Sequence, residues 1–367
     1  MDCWPLHPQP LPDEIFSSWI YRTSRANGIK FYSLCRLVAP EERNVYTNFD
    51  HIISQSAVRE FARKLKTTYR RAFETTLDSY AGYLFENATK KGNMKTCLLH
   101  TGISSNELNR FPLQICPLCL SEGEPYFRKR WRVSLVTVCT EHECKLLDQC
   151  PECLSPIKPL KHDSKNVNKP FKGKITSCFN CGLDLASCST KSANKALVEE
   201  TEIYEEVLEK GFVELQPHKW IYSFSYFYVI RHLIRVLGLK DESVKESFNE
   251  MEPDSMTLPY RYAALKKLTG IFKNWPYCFL EFCEQNKLYY SDFTSIQRTK
   301  FPIPYWLDSA IKPNIYRPNL NPTEESVVTA INYMRRTNRR MSLLGLNKML
   351  GFVDSQIAKR IFKEIVG

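Results

Sequence analysis

Apolar side chains recur at helical spacing along most of this chain, so a mainly α-helical fold is expected. Between residues 12 and 28, Ile15, Phe16, Trp19, Ile20 and Thr23 share one helical face, with Arg22 and Arg25 off it. Pro12-Asp13-Glu14 reads as the start, Asp13 capping and Glu14 suiting the positive end, and Gly28 reads as the stop. A second helix is predicted over Phe31–Val38, with Phe31, Leu34, Leu37 and Val38 inward. Two helices joined by a Gly-containing turn fit a helix-turn-helix, and equally any helical hairpin. Residues 54–75 place Phe61, Leu65, Tyr69 and Phe73 four apart, as one helix with a basic outer face, and residues 79–91 continue as a short helix.

The second half reads similarly. Residues 191–300 are expected to be helical throughout, with Leu197–Gly211 acidic and amphipathic and Trp220–Leu237 aromatic and buried. Thr257–Phe272 and Tyr277–Asn286 follow as helices. The prolines of Phe301–Pro322 predict an extended connector. Thr323-Glu324-Glu325 opens a helix running to about Thr337. Ser342–Leu350 forms another, with Leu343, Leu346, Met349 and Leu350 inward, and Gly351 turns the chain. Val353 then acts as a plug and Asp354 as a cap for a last helix that points Ile357 and Ile361 inward. Ser355, Gln356, Lys359, Arg360 and Lys363 point outward, the pattern of a second helix that offers short polar and basic side chains to a major groove. The expected domains are 1–109 (helical), 110–190, 191–300 (helical), the connector 301–322 and a basic module at 323–367.

Charge sharpens this picture. The chain has 367 residues and a net charge of +11, and by segment it carries +4 over 1–115, +3 over 116–190, −2 over 191–332 and +6 over 333–367. A basic patch is the footprint of a phosphate-binding surface. The candidates for nucleic-acid contact are therefore Arg339, Arg340 and the outward residues of the last helix. Arg128, Lys129, Arg130 and Arg132 join them, because they alternate loosely with Tyr126, Phe127 and Trp131. The acidic region between the basic ends is a candidate protein-binding surface. The longest uncharged aromatic run, Trp220–Ile230, is far short of the roughly 20 residues that span a bilayer.

The most specific chemistry lies between residues 110 and 190. Cys116-Pro-Leu-Cys119, Cys139-Thr-Glu-His142, Cys150-Pro-Glu-Cys153 and Cys178-Phe-Asn-Cys181 are four ligand pairs of identical spacing. Such spacing turns both donors of a tight loop toward one ion, and two loops complete a tetrahedral zinc site. Eight donors imply two Zn2+ ions. Sequential pairing is simplest; a cross-braced pairing uses the same residues, and Cys144 or Cys188 could replace a ligand. Disulfides are the competing use of fourteen cysteines, but Met1-Asp2-Cys3-Trp4-Pro5 shows no secretion signal, so a cytoplasmic zinc protein is expected. Four protein ligands per ion leave no open position for water, so the metal is structural. Residues 133–138 read as a strand leading to Cys139, and Lys158–Lys174 as a surface loop.

Pro10-Leu-Pro-Asp-Glu14, Ser18-Trp19, Arg22 and Gly28 together resemble the opening of the TniQ/TnsD family, and so do Phe111-Pro112, the Cys116 pair, Trp131, the Cys139–His142 pair and Leu147 through Cys153. The resemblance is specific over residues 5–185. One departure is that Glu143-Cys144 follows His142, where a glycine is common. The resemblance implies helix-turn-helix units around paired zinc motifs carried by the eight donors above. It also implies a role in choosing the target of Tn-type transposons, by reading attachment-site DNA or an RNA-guided CRISPR surveillance complex (Cascade). A TnsC-like AAA+ ATPase regulator is then recruited, and some members dimerise. A non-enzymatic target-selection adaptor is therefore expected. A zinc-containing transcriptional regulator is the alternative, and no carboxylate spacing nominates the two-magnesium site of a transposase or nuclease.

Overall fold

Helix α1 (Phe16–Ala26) is buried on nearly every side rather than along one stripe. A computed structural model of the chain describes residues 3–42, 49–86, 95–99, 111–164, 173–240, 253–294, 303–315, 322–352 and 355–366. Phe16, Trp19 and Ile20 of α1 share a core with α2 (Phe31–Val38), α3 (Phe49–Ile52) and α4 (Gln55–Lys64). Phe16 meets Trp19 and Phe61 edge-on, centroids 5.7 and 5.4 Å away, the geometry that ring quadrupoles favour. The polar residues of α1 tolerate burial because they are partnered: Ser17 donates to Asp50, and Thr23 to the Trp19 carbonyl.

Three local expectations are corrected here. The helix starts at Phe16 after an N-cap Ile15 with no side-chain cap, because Asp13 turns to Arg130 and Glu14 to Arg22. Leu37, expected inward, is 68% exposed. The single helix expected over 54–75 is two: α4 ends at Lys64, Lys66 adopts φ 51°, and α5 (Tyr69–Glu74) restarts behind Thr68, whose Oγ1 accepts the Arg71 amide. The short helix expected over 79–91 does not form over 79–86, where a 3-10 turn (Leu77–Tyr80) gives way to non-helical turns, and residues 87–91 lie outside those described.

The described residues between 111 and 188 contain little regular structure. Helix α6 (Pro117–Ser121) is followed by the paired antiparallel strands β1 (Val138–Cys139) and β2 (Cys144–Lys145). The strand expected over 133–138 reduces to β1, because a 3-10 turn at Lys129–Arg132 precedes it. Helix α7 (Lys195–Lys210) is capped by Asn194 and closed by Gly211. Gly211 holds φ +82°, and an added Cβ would stand 3.2 Å from the Tyr83 ring, so conformation and space both require glycine.

The region 191–300 is not helical throughout. Strands β3 (Phe212–Gln216) and β4 (Lys219–Tyr222) form a hairpin, on which Trp220 and Tyr222, expected buried, are 69% and 70% exposed. Helix α8 (Ser223–Lys240) begins only then and buries Tyr226 and Phe227, with α9 (Leu258–Lys267) packed on it and α10 (Tyr277–Gln285) following.

The chain divides into two compact units, residues 1–285 and 286–367. The second contains α11 (Tyr290–Thr294), α12 (Tyr305–Ile315), α13 (Glu324–Arg336), α14 (Leu343–Leu350) and α15 (Gln356–Val366). Helix α12 corrects the extended connector: the Pro304 carbonyl accepts the Leu307 and Asp308 amides, so the proline opens a helix. The last three helices pack Val327, Ile331, Met334, Leu346, Ala358 and Ile361 into one small core. Val353 and Asp354 lie outside the described residues, and the cap expected of Asp354 is made by Ser355. Among the described residues no helix is long and apolar enough to cross a membrane.

Candidate metal centres and basic segments

Two four-donor clusters form, Cys116, Cys119, Cys139 and His142 in one and Cys150, Cys153, Cys178 and Cys181 in the other, each with its donor atoms within 4.8 Å of one another. The pairing is sequential. The cross-braced arrangement is absent, and Cys188 lies apart, its Sγ directed at the Asp184 carbonyl. None of the fourteen cysteines forms a disulfide.

Local backbone explains why these short segments converge. Cys116 is the N-cap residue of α6, with Pro117 opening the helix and Cys119 in its first turn. Cys139 ends β1, and the tight connection to β2 carries His142. After three of the four pairs the next residue is left-handed: Glu143 at φ 46°, Leu154 at 56° and Gly182 at 83°. Each reverses the chain directly behind its second donor; the Leu154 amide then donates to Cys150 and the Gly182 amide to Cys178. Glu143 thus occupies the conformation that a glycine in its place would take freely.

The donors fit a tetrahedral ion. Four ligands about 2.3 Å from one ion stand about 3.8 Å apart, and somewhat closer where one is nitrogen. In the first cluster Cys119 and Cys139 are 3.5 Å apart, and His142 Nδ1 lies 3.7, 3.3 and 3.5 Å from Cys116, Cys119 and Cys139. In the second, Cys150–Cys181 and Cys153–Cys178 are both 3.6 Å. His142 Nε2 is 2.9 Å from Glu122 Oε1, the carboxylate partner that orients a metal-bound imidazole.

The basic segment at 128–132 is turned toward partners within the fold. Arg132, 4% exposed, donates Nη1 to Asp50 at 3.1 Å and Nη2 to the Leu99 carbonyl, with His51 Nε2 2.8 Å away. Arg130 pairs with Asp13 and Glu205 at 2.9 Å each and with Glu141 at 3.2 Å. Arg128 pairs with Glu141, and Lys129 donates to the Glu74 carbonyl and Ser79. All four are engaged within the chain, and Arg132 is buried there. Burial lowers the Arg132 pKa and raises that of Asp50, and each opposes the shift of the other.

The C-terminal candidates divide. Arg339, Arg340, Gln356, Lys359, Arg360 and Lys363 are exposed, with Arg360 paired to Glu324 and Arg339 lying 5.7 Å from the Tyr333 ring. Ser355 is 2% exposed and its Oγ accepts the Ala358 amide, so it caps α15 and cannot reach a base.

Sequence reading passed over the buried arginines that join the helices to the cysteine-rich segment. Arg22 grips Glu14 with Nε and Nη2, both 2.8 Å. Arg261, 1% exposed, donates to the Met256 and Ser134 carbonyls and to Gln114 Oε1, and burial lowers its pKa to about 10. The available signal was the apolar company of Arg22, whose neighbours Trp19 and Ile20 are core residues. A comparison with curated proteins gives no match. Residues 5–146 match the TniQ family model, a stretch that ends just past the first cluster. That segment of the chain is therefore a TniQ domain.

Proposed function

We propose that the chain is a non-catalytic target-selection adaptor, linking a chosen DNA site to an AAA+ ATPase regulator of the TnsC kind and to its transposase. The observation that carries this reading is the TniQ domain over residues 5–146, with a complete four-donor cluster at its end. Zinc is the proposed ion for both centres, since all eight donors are thiolate or imidazole and each sphere closes with protein ligands alone. Bound there, the ions supply cross-links. Cys116 and Cys119 are held against the β1–β2 turn, and the Cys150 loop against the Cys178 loop.

The C-terminal three-helix module is the proposed nucleic-acid contact, with α14 and α15 as a helix-turn-helix. Its support is the exposed set Arg339, Arg340, Gln356, Lys359, Arg360 and Lys363. The target is attachment-site DNA or an RNA-guided Cascade complex, and a homodimer in the cytoplasm is the proposed working form. Two measurements test the reading. The chain should co-purify with an AAA+ ATPase encoded beside it, and it should not hydrolyse DNA with magnesium. Lys359→Ala with Arg360→Ala should lower the salt slope of nucleic-acid binding by about two. An unchanged slope removes the module from the interface. Tight promoter binding with no ATPase partner would instead favour the transcriptional regulator.

A further inference from the structure

The first centre has one donor more than a tetrahedral ion takes. Cys144 sits on β2 directly across from Cys139 on β1. It is buried, and its Sγ lies 3.6 Å from Cys116 Sγ. It is not among the four donors that lie within 4.8 Å of one another. Cys116, Cys119 and Cys139 are buried and form a three-sulfur base. Two groups then compete for the fourth corner. His142, its side chain 15% exposed, comes from the rim beside Glu122, whose side chain is 65% exposed, while Cys144 comes from the interior. The backbone between them is a single residue, Glu143, strained at φ 46°.

We propose that Cys144 is a reserve ligand. When His142 withdraws toward Glu122, the Cys144 sulfur takes the fourth corner, and the centre passes from three thiolates and one imidazole to four thiolates without releasing its ion. The exchange balances. The Cys144 S–H bond breaks as its sulfur–metal bond forms, the bond from His142 Nδ1 to the ion breaks, and the proton passes to that nitrogen. The resulting imidazolium stays paired with the Glu122 carboxylate, and no oxidant or reductant takes part. The β1–β2 turn can therefore move against a partner while the fold beneath it keeps its cross-link. This inference rests on the zinc reading above, which metal analysis of the wild-type chain tests separately.

The test uses the full chain loaded with cobalt(II) in place of zinc. Wild type should bind two ions; fewer would remove the zinc reading itself. His142→Ala should still bind two, with the sulfur-to-metal charge-transfer intensity raised by about one seventh as seven thiolates become eight. Adding Cys144→Ser to that variant should cut the stoichiometry to one. His142→Ala binding one ion, or binding two with no added thiolate intensity, overturns the proposal. A second measurement avoids reliance on a variant at His142. Zinc-loaded wild-type chains carbethoxylated at His142 should retain both ions by native mass spectrometry, whereas Cys144→Ser chains so modified should keep one. Loss of an ion from modified wild type also overturns it.

Discussion

The cysteine-rich segment and the C-terminal module carry basic runs of similar appearance, and the fold places them differently. Arg128, Arg130 and Arg132 face Glu141, Asp13, Glu205 and Asp50, and Lys129 donates to the Glu74 carbonyl, so their charge braces the first unit. Arg339, Arg340, Lys359 and Lys363 lie on the outside of three small helices. The same residue types brace a fold or line its outside according to how deeply the fold buries them. The two regions also differ in what stabilises them. Every one of the fourteen cysteines lies in the first unit, whereas the second relies on an apolar core and side-chain caps.

Removing metal should separate the two regions most sharply. Structural zinc contributes about 10–16 kcal/mol per site in small peptides. A strong chelator should therefore abolish hydrogen-exchange protection across residues 111–188 while amides of α13 to α15 stay protected. Equal loss in both would show that the second unit depends on the first. Next in size is Arg132→Ala, which strands Asp50 in the interior and should cost about 3–5 kcal/mol in a denaturant titration. A loss near zero would place Arg132 on the surface after all. Arg130→Ala should cost about 1.5–3 kcal/mol through its charged hydrogen bonds, yet leave the salt slope of nucleic-acid binding unchanged. A reduced slope would return the 128–132 segment to the nucleic-acid surface. The smallest effect belongs to Ser355→Ala, about 1 kcal/mol from a lost cap, again with an unaltered slope.

Legibility followed the distance between interacting residues. The four ligand pairs were readable because each is completed within a single turn, and the helices of the C-terminal module because Thr323 and Ser342 cap them within three residues. The hairpin at 212–222 was missed because its apolar residues do not alternate cleanly with polar ones, and a dense aromatic run reads equally as buried helix. The roles of the arginines were illegible because Asp50 stands 82 positions from Arg132, and Asp13 stands 117 from Arg130.

By itself the amino-acid order determined the mainly helical character, the eight candidate metal donors and the TniQ domain, since each follows from contacts or motifs a few residues long. Only the tertiary structure decided which ligand pairs cluster, which basic groups face inward and which serine is a cap. Those outcomes depend on long-range packing, where a charge is buried only if a partner from elsewhere in the chain arrives to offset its desolvation.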